Sequence, residues 1–381
     1  MTRVALVTDR AGGGGTERHV GLLLAGLIDH GCEVHFVTSE PGPLTDLARS
    51  LGAVVSLVPR PGSVRYVRAL AARLRSIAPE VVHTHSGRLA CLAARLAGVG
   101  VIVETRHGIP ESQRLLYRAL PPARRWEGVK SSLAHVTICI CQADLRWTIA
   151  SGRPPSATRL IRNSIDPPEP PLEDRLRVRD RLGLPRDAWV VGFVGRLVRA
   201  KAPERFLEVV LRLREQARAS ARGEGELVGW ICGDGPLERE LRDRARRNGL
   251  DSSLRWAGEQ PDARRLMPAL DLLLVPSRFE GMPYVVLEAL QAGLMVLATP
   301  VGGNPEILSG PVLGEGCIRW NAEEWAAAAS RRRQDTAHEK VWREAARERV
   351  EEFTAWRNAA EIAGLYAELL QRPLCLPARN C

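Results

Sequence analysis

The chain alternates short β-branched segments with longer amphipathic segments in two successive series. In the first series, two of the amphipathic segments have apolar residues at helical spacing and end at Gly31 and Pro79. Strands that alternate with helices indicate βαβ units and a parallel sheet. The predicted strands of this half are residues 4–8, 33–39, 54–58, 81–85, 101–107 and 135–140.

The pattern stops between the two halves, where prolines stand at 167, 168, 170 and 171. Proline is excluded from helix interiors and central strands, so we place a linker there. A second series follows, with predicted strands at 190–196, 226–235, 254–259, 271–277, 296–303 and 317–320. The sequence therefore predicts two Rossmann-like α/β domains. Their predicted bounds are 1–166 and 187–352, with a linker at 167–186 and a helical tail at 353–381 that packs back toward the first domain.

Composition excludes several classes of protein. Apolar residues make up 45% and charged residues 26% of the 381 residues, which are ordinary globular values. No apolar run reaches the roughly 20 residues of a membrane span, and no signal sequence opens the chain, so we expect a cytoplasmic protein.

The eight cysteines form no Cys-x-x-Cys pair. We expect free thiols, with Cys139 and Cys141 buried on one face of a strand.

The net charge of +10 lies wholly in the first half, where residues 1–165 hold 21 basic and 11 acidic side chains. The remainder is balanced, with 33 of each. The basic segments 65–75 and 106–130 suit a solvated face, a contact with an anionic membrane or a nucleic-acid site. No aromatic stacking platform accompanies them, so we expect no nucleic-acid partner.

Ligands of parallel sheets bind beyond the carboxyl ends of the strands, so two facing sheets would form one deep cleft. The predicted strand 271–277 is followed by RFEGMPYVVLEALQAG, with Glu280 in a loop and Glu288 in a helix. A helix N-terminus offers free amides to an anion such as a diphosphate. The candidate amides belong to Gly281, Met282 and Tyr284, while Pro283 in the first turn has none.

Two further loops follow strands of the second half. In GRLVRAK, Gly195 lets the backbone approach a ligand, and Arg196 and Lys201 supply cations that can clamp a diphosphate. Solvated cations beside a helix cap are the structural alternative. In CGDGP, Asp234 either caps the next helix or faces the cleft, and capping is the favoured role.

The first half places glycines and histidines at strand ends. The turn after the first strand contains Gly12–Gly15, which can bring amides against a phosphate, although it lacks the dinucleotide pattern. His83 and His85 close one strand and His107 follows another. Each histidine alone is more often a buried hydrogen-bonding residue than a catalyst.

Taken together, the motifs resemble those of the GT-B retaining glycosyltransferases of family 4, also called group 1 transferases. The motifs are, in order, GGGGTERHV, HTH, TRHG, NSID, VGRLVRAK, GDGP and PSRFEGMPYVVLEALQAG with VGGNPEI. The two glutamates separated by seven residues are the most specific part. The resemblance covers nearly the whole chain and implies a GT-B fold.

The resemblance also implies roles for matching positions. Arg196 and Lys201 match the basic pair that holds the donor diphosphate, and Glu288 matches the glutamate that binds the ribose. Glu280 matches the glutamate beside the transferred sugar, and His107 the histidine near the C6 hydroxyl and the reaction centre. The other matches are Gly14 and Gly15 over the phosphates, the amides around Gly281–Tyr284, Asn163 and Asp166 at the domain crossover, and Gly302, Gly303 and Glu306 near the donor.

The sequence departs from the family pattern at three places. Ser164 and Ala202 stand where the family usually has glycine, and LSGPVLGEG after Glu306 is atypical. These departures bear on local geometry more than on the activity.

The resemblance implies transfer of a sugar with retention, without a metal or other cofactor. No Asp-x-Asp pair occurs in the chain, so Arg196 and Lys201 would take the place of a metal at the diphosphate. A UDP-sugar is the favoured donor and a glycan or lipid-linked hydroxyl the acceptor, in polysaccharide or glycolipid synthesis at or near the inner face of the membrane. A sugar-nucleotide epimerase of the same fold and a non-catalytic sugar-nucleotide-binding protein are the alternatives.

Overall fold

A computed structural model of the chain describes residues 1–12, 14–109, 133–167, 172–219 and 225–371. Several sequence predictions fall outside these residues. They are those for Gly13, for most of the basic segment 106–130, for the linker prolines at 168, 170 and 171, and for the cysteines at 375 and 381.

The chain divides into two compact units. One unit contains residues 1–166 together with the segment from Phe353 onward, and the other contains Pro167–Glu352. The last segment of the chain therefore belongs to the same unit as the first 166 residues.

The first unit is built on a parallel sheet of seven described strands in the order β3-β2-β1-β4-β5-β6-β7. The order reverses between β1 and β4, which makes their carboxyl ends the switch point of this sheet. The sequence missed the short β7, whose central residue is an arginine. The strands are β1 Arg3–Thr8, β2 Glu33–Thr38, β3 Val54–Leu57, β4 Val81–Thr84, β5 Val101–Arg106, β6 Val136–Cys139 and β7 Thr158–Leu160.

Helices cover both faces of this sheet. The apolar side of α1, including Leu23 and Leu27, shares a buried core with Ile362 and Tyr366 of the last helix. Cys141 lies beyond β6 as the residue that precedes α5, so it does not share a strand with Cys139 as predicted. The described helices of this unit are α1 Gly15–Asp29, α2 Pro43–Ser50, α3 Val64–Ile77, α4 Arg88–Leu96, α5 Gln142–Ala150 and α13 Ala355–Leu370.

The second unit has a parallel sheet of five described strands in the order β10-β9-β8-β11-β12. Its switch point lies between β8 and β11. The predicted strand 317–320 is wrong, because Cys317 makes only an isolated bridge to Ala298. The strands are β8 Trp189–Val194, β9 Leu227–Cys232, β10 Leu254–Gly258, β11 Leu272–Val275 and β12 Met295–Ala298.

Part of the predicted linker 167–186 is a helix of the second unit, α6 Arg175–Leu182. The Arg179 side chain of this helix is fully buried, and its guanidinium donates to the Ala188 and Ala269 carbonyls and to Asp271. Because these bonds tie α6 to the ends of two strands, the helix is part of the domain. The sequence of α6 is mostly charged, so it did not indicate that the helix packs into the domain. The other helices of the unit are α7 Pro203–Ala219, α8 Glu238–Arg247, α9 Tyr284–Gln291, α10 Asn304–Ile307, α11 Ala322–Gln334 and α12 Thr336–Val350.

Ala202, one of the departures from the family pattern, has a left-handed backbone with φ of 50°. Ala78 has the same φ at the C-terminus of α3, but it is exposed, whereas Ala202 is fully buried. The left-handed region costs a non-glycine residue roughly 1–2 kcal/mol. Ser164 is not among the described residues with positive φ, so a glycine is not required there.

Substituting glycine at these two positions should have different effects on stability. We expect Ala78→Gly to raise the free energy of unfolding by about 1 kcal/mol, because strain is relieved and no packing is lost. Ala202→Gly should gain less, since removing its buried methyl costs about 0.8 kcal/mol. Urea unfolding of both variants checks this, and an equal gain at the two sites would contradict it.

Candidate functional site

The loops that follow β8 and β11 contain most of the predicted site residues of the second unit. These strands are neighbours at the switch point, so Gly195–Lys201 after β8 lies beside the segment from Ser277 to Pro283 after β11. Arg278 and Phe279 donate backbone hydrogen bonds to the Ala200 carbonyl, at 2.9 and 3.3 Å. The two loops are thus joined directly.

Lys201 and Glu280 form an ion pair at this junction. Lys201 Nζ lies 2.7 Å from each carboxylate oxygen of Glu280, and the Ser277 hydroxyl donates to Oε1 at 2.7 Å. The Glu280 side chain is 6% exposed and that of Lys201 25% exposed. A lysine that is partly open to solvent while held on a buried carboxylate is positioned to bind a second anion.

The loop that carries Glu280 is fixed by a second loop. Gly302 has φ of 57°, and a Cβ there would lie 2.3 Å from the Glu280 carbonyl oxygen and 2.4 Å from that of Gly281. The Gly303 amide donates to the Gly281 carbonyl at 2.6 Å. Only glycine fits at position 302, because any side chain would clash with these two carbonyl oxygens. The close contact that glycine allows fixes the backbone position of Glu280. This is the loop that the sequence predicted to lie near the donor.

Helix α9 begins directly after this loop. Pro283 is its N-cap and Tyr284 its first residue, so the prediction of Pro283 within the first turn is wrong by one position. Met282 and Tyr284 are buried, and Glu288, one turn along the helix, is also buried, with 8% of the residue exposed. The predicted amides and both glutamates therefore lie on one continuous segment at the carboxyl end of β11.

Arg196 differs from Lys201 in its surroundings. Its side chain is exposed, and it forms no ion pair with any residue in the described part of the chain. The Leu197 amide donates to the Asp234 carbonyl at 2.6 Å, which joins this loop to the loop after β9. A Cβ at Gly233 would lie 2.1 Å from the Gly195 carbonyl oxygen, so this contact requires glycine.

Asp234 does not have the predicted capping role. Its side chain is exposed, and the helix that follows, α8, begins at Glu238 with Leu237 as its N-cap. Three residues separate Asp234 from the first helical residue, which places its carboxylate too early in the chain to accept from the first-turn amides.

In the first unit, the predicted glycines and histidines lie at or next to the switch point of the seven-stranded sheet, beyond the carboxyl ends of β1, β4 and β5. Gly14 is the exposed N-cap of α1 and Gly15 its first residue. His85 follows β4, and His107 follows the adjacent strand β5; both are partly buried. The Nδ1 atom of His85 lies 2.8 Å from Nε2 of His107.

A third histidine, His19 of α1, joins this pair and was not singled out from the sequence. Its ring is 1% exposed and lies 5.3 Å from the His85 ring and 5.0 Å from the His107 ring, centre to centre. Within the described residues, these three histidines form a group whose ligand atoms all lie within 4.8 Å of one another. The sequence clue to His19 is its position four residues after the last glycine of the turn Gly12–Gly15.

Burial keeps the rings of these three histidines, and that of the neighbouring His83, uncharged at neutral pH. It lowers the pKa of His19 to about 4, against an opposing effect of Asn163, and that of His83 to about 3. Burial, and then the neighbouring histidines, also hold the pKa values of His85 and His107 well below the usual 6.5. Uncharged imidazoles at neutral pH are hydrogen-bonding groups or metal ligands, not cations.

The stability of the first unit should therefore depend on pH. The unfolded chain protonates its histidines near pH 6.5, whereas folded His19 and His83 remain neutral down to about pH 4 and 3. Between pH 4 and 6.5 the unfolded state binds more protons, so the free energy of unfolding rises with pH and levels off above 6.5. From pH 7.5 to 5 we expect a loss of about 2 kcal/mol per histidine.

Urea unfolding between pH 4.5 and 7.5 measures this dependence. Replacing His83 by phenylalanine should make the slope shallower, and His338→Gln in the second unit is the matched control. An unchanged slope in the His83 variant would contradict the assignment.

Comparison with known proteins identifies the family. Residues 174–349 match the family described as glycosyl transferases group 1, and residues 13–169 match glycosyltransferase family 4. The chain belongs to the group 1 glycosyltransferases, and the predicted family and GT-B fold class are confirmed. It is a glycosyltransferase.

Two relatives of this chain are named for different acceptors. It is 29% identical over 291 residues to the UDP-Gal:α-D-GlcNAc-diphosphoundecaprenol α-1,3-galactosyltransferase of Escherichia coli, covering 71% of this chain and 72% of that protein. It is 30% identical over 316 residues to the D-inositol 3-phosphate glycosyltransferase of Stackebrandtia nassauensis, covering 79% and 71%.

Solved structures share the fold. The crystal structure of Anabaena HepE with UDP and glucose superposes with a TM-score of 0.79 at 19% identity, covering 97% of this chain and all of that one. The lipopolysaccharide glycosyltransferase WaaG gives a TM-score of 0.71 at 17% identity, covering 95% and 99%. Among the described helices, none combines the length and hydropathy needed to cross a membrane.

Proposed function

We propose that the protein is a retaining glycosyltransferase that transfers a sugar from a UDP-sugar to a hydroxyl of a lipid-linked glycan. The observation that carries this proposal is the Lys201–Glu280 pair at the switch point of the second sheet, with exposed Arg196 in the same loop as Lys201. Two cations and the start of α9 at the carboxyl ends of parallel strands suit a diphosphate.

The proposed reaction uses these groups to stabilise the leaving group. The bond from the anomeric carbon to the diphosphate oxygen breaks, and Arg196 and Lys201 bind the charge that develops on UDP. The acceptor oxygen bonds to the anomeric carbon on the same face, and its proton passes to the departing diphosphate. Glu280 stays paired with Lys201 beside the sugar, so no covalent glycosyl-enzyme is formed. The two cations supply the charge that a metal would otherwise provide.

The relatives support a UDP-sugar and a phosphorylated acceptor. The Escherichia coli relative is named for UDP-Gal and a diphosphoundecaprenol acceptor, and the Stackebrandtia relative for D-inositol 3-phosphate. HepE was solved with UDP and glucose. Both named acceptors carry phosphate, and the excess positive charge of this chain lies in residues 1–165. A basic first unit would attract such acceptors.

An anionic membrane is the proposed location of the acceptor. Helix α3 contains four arginines and no acidic residue, and Arg65 and Arg68 project into solvent. Val64 on the same helix is 67% exposed, and Leu57 of the edge strand β3 is 54% exposed. Arginines beside exposed apolar side chains suit a lipid headgroup region.

Product analysis tests the transferase proposal. The purified chain would be incubated with UDP-, GDP- and ADP-sugars and a diphosphopolyprenol-linked acceptor, with and without EDTA, and the anomeric configuration followed by NMR. We expect retention, a preference for a UDP-sugar and no loss of rate in EDTA. Inversion or loss of rate in EDTA would overturn the mechanism. Conversion without acceptor would indicate an epimerase, and binding without turnover a non-catalytic protein.

Sedimentation with vesicles tests the membrane proposal. Vesicles with anionic lipid should bind the protein, and neutral vesicles should not. The double variant Arg65→Glu/Arg68→Glu should lose this binding, whereas Arg239→Glu/Arg347→Glu, at exposed arginines of the second unit, should weaken it far less. Equal binding to neutral vesicles would remove the proposal.

A further inference from the structure

His85 and His107 are joined by a hydrogen bond between two ring nitrogens. Their facing nitrogens, Nδ1 of His85 and Nε2 of His107, are 2.8 Å apart. Both rings are neutral, so each has one protonated nitrogen, and one of the two facing atoms donates while the other accepts. The direction of this hydrogen bond determines whether Nδ1 of His107 carries a proton or a lone pair.

The spacing of the pair is that of a hydrogen bond and not of two ligands on one zinc ion. Zinc–nitrogen bonds of about 2.0–2.1 Å in tetrahedral geometry separate two ligand nitrogens by about 3.3 Å. The observed 2.8 Å is shorter and matches an ordinary hydrogen bond. The two rings are therefore a hydrogen-bonded pair.

The other nitrogen of His85 decides the direction of this bond. His85 Nε2 is buried and has no hydrogen-bond partner among the described residues. If His107 donated, the His85 proton would sit on Nε2 as a buried N–H without an acceptor, at a cost of about 1–3 kcal/mol. Buried N–H groups without partners are rarer than unsatisfied acceptors. Donation from His85 Nδ1 leaves only a lone pair at Nε2.

We infer that His85 is a positioning residue that donates its Nδ1 proton to His107 and thereby holds the His107 proton on Nδ1. This inference rests on the proposed function only in taking the ligand of His107 to be a sugar nucleotide or its acceptor, the role that the family resemblance implies for this histidine. His107 then offers an N–H donor, which recognises a sugar or phosphate oxygen. It has no free lone pair to act as a base on the acceptor hydroxyl, which agrees with transfer of that proton to the diphosphate.

A second histidine fixes the plane of the His85 ring. The His83 ring stacks on it, with 4.5 Å between ring centres and 28° between planes. His83 is itself held at both nitrogens, 2.6 Å from the Tyr366 hydroxyl and 2.7 Å from that of Thr105. Because Tyr366 belongs to α13, the last described helix helps to fix the ring that orients His107.

Nitrogen NMR of the full chain, with ¹⁵N-labelled histidine rings, tests the assignment directly. Protonated and unprotonated ring nitrogens have well-separated shifts, and the signals of each residue are identified by their loss in His85→Asn and His107→Asn. We expect His107 to carry its proton on Nδ1 and His85 on Nδ1. A proton on Nε2 of His107 would overturn the inference, whether or not the protein transfers sugar.

Matched variants at His85 test the consequence for turnover. The amide nitrogen of His85→Asn lies near the position of Nδ1 and keeps the donor, whereas His85→Leu removes it. We expect the leucine variant to lower kcat about 10–100-fold, as loss of an orienting partner does at other histidine sites, and to give His107 mixed protonation. The asparagine variant should recover most of the rate. Equal losses in both variants with an unchanged His107 spectrum would reduce His85 to a packing role.

Discussion

Sugar transfer should fall by about 10⁴-fold when Arg196 and Lys201 are both replaced by alanine. Removing one preorganised group that stabilises a developing negative charge costs about 10²–10³-fold, and two groups that act on one diphosphate share part of that effect. The rate of a saturated reaction with UDP-sugar and acceptor measures the loss. Transfer at an undiminished rate would end the proposal that these cations stabilise the departing diphosphate.

Arg196 allows the electrostatic contribution to be measured without a loss of stability. Its side chain is exposed and forms no ion pair within the described residues, so Arg196→Ala should leave the unfolding transition unchanged while transfer drops about 10²-fold. Arg199→Ala is the matched control, because Arg199 is an exposed arginine of the same loop. A similar loss in both variants would indicate a general effect of charge rather than contact with the diphosphate.

The sequence predicted the positions of the site loops because strand ends in a parallel sheet follow from the alternating pattern. The predicted strands 190–196 and 271–277 overlap β8 and β11, and the switch point between them brings the two loops together. The family resemblance supplied the roles of single residues. Neither the alternating pattern nor the resemblance predicted that Lys201 and Glu280, 79 positions apart, form an ion pair with each other.

Other features depend on three-dimensional contacts that no local pattern encodes. The burial of Arg179 depends on carbonyls supplied by separate strand ends, so α6 resembled a polar linker in the sequence. His19 is an ordinary residue of an amphipathic helix until β4 and β5 bring His85 and His107 beside it. The direction of the hydrogen bond between His85 and His107 depends on a buried nitrogen that has no hydrogen-bond partner among the described residues, and no local sequence pattern encodes that.

The Lys201–Glu280 pair should respond to substitution in a way that separates its structural role from its catalytic one. Lys201→Met leaves the Glu280 carboxylate, 6% exposed, with the Ser277 hydroxyl as its remaining side-chain donor among the described residues. Breaking a buried pair costs 3–5 kcal/mol, and because Lys201 is 25% exposed we expect a smaller loss of about 2 kcal/mol.

Neutralising the carboxylate in the same background should restore that stability. The double variant Lys201→Met/Glu280→Gln has no buried charge left unpaired, so its free energy of unfolding should return to within about 1 kcal/mol of the natural chain. Transfer should stay low in Lys201→Met, in the single variant Glu280→Gln and in the double variant. The cation beside the diphosphate is lost in two of these variants, and the side chain beside the sugar is neutral in two. Urea unfolding and initial rates for the four proteins complete the cycle. Additive stability losses would show that the pair is not coupled, and recovery of transfer in the double variant would show that Lys201 serves only to hold Glu280.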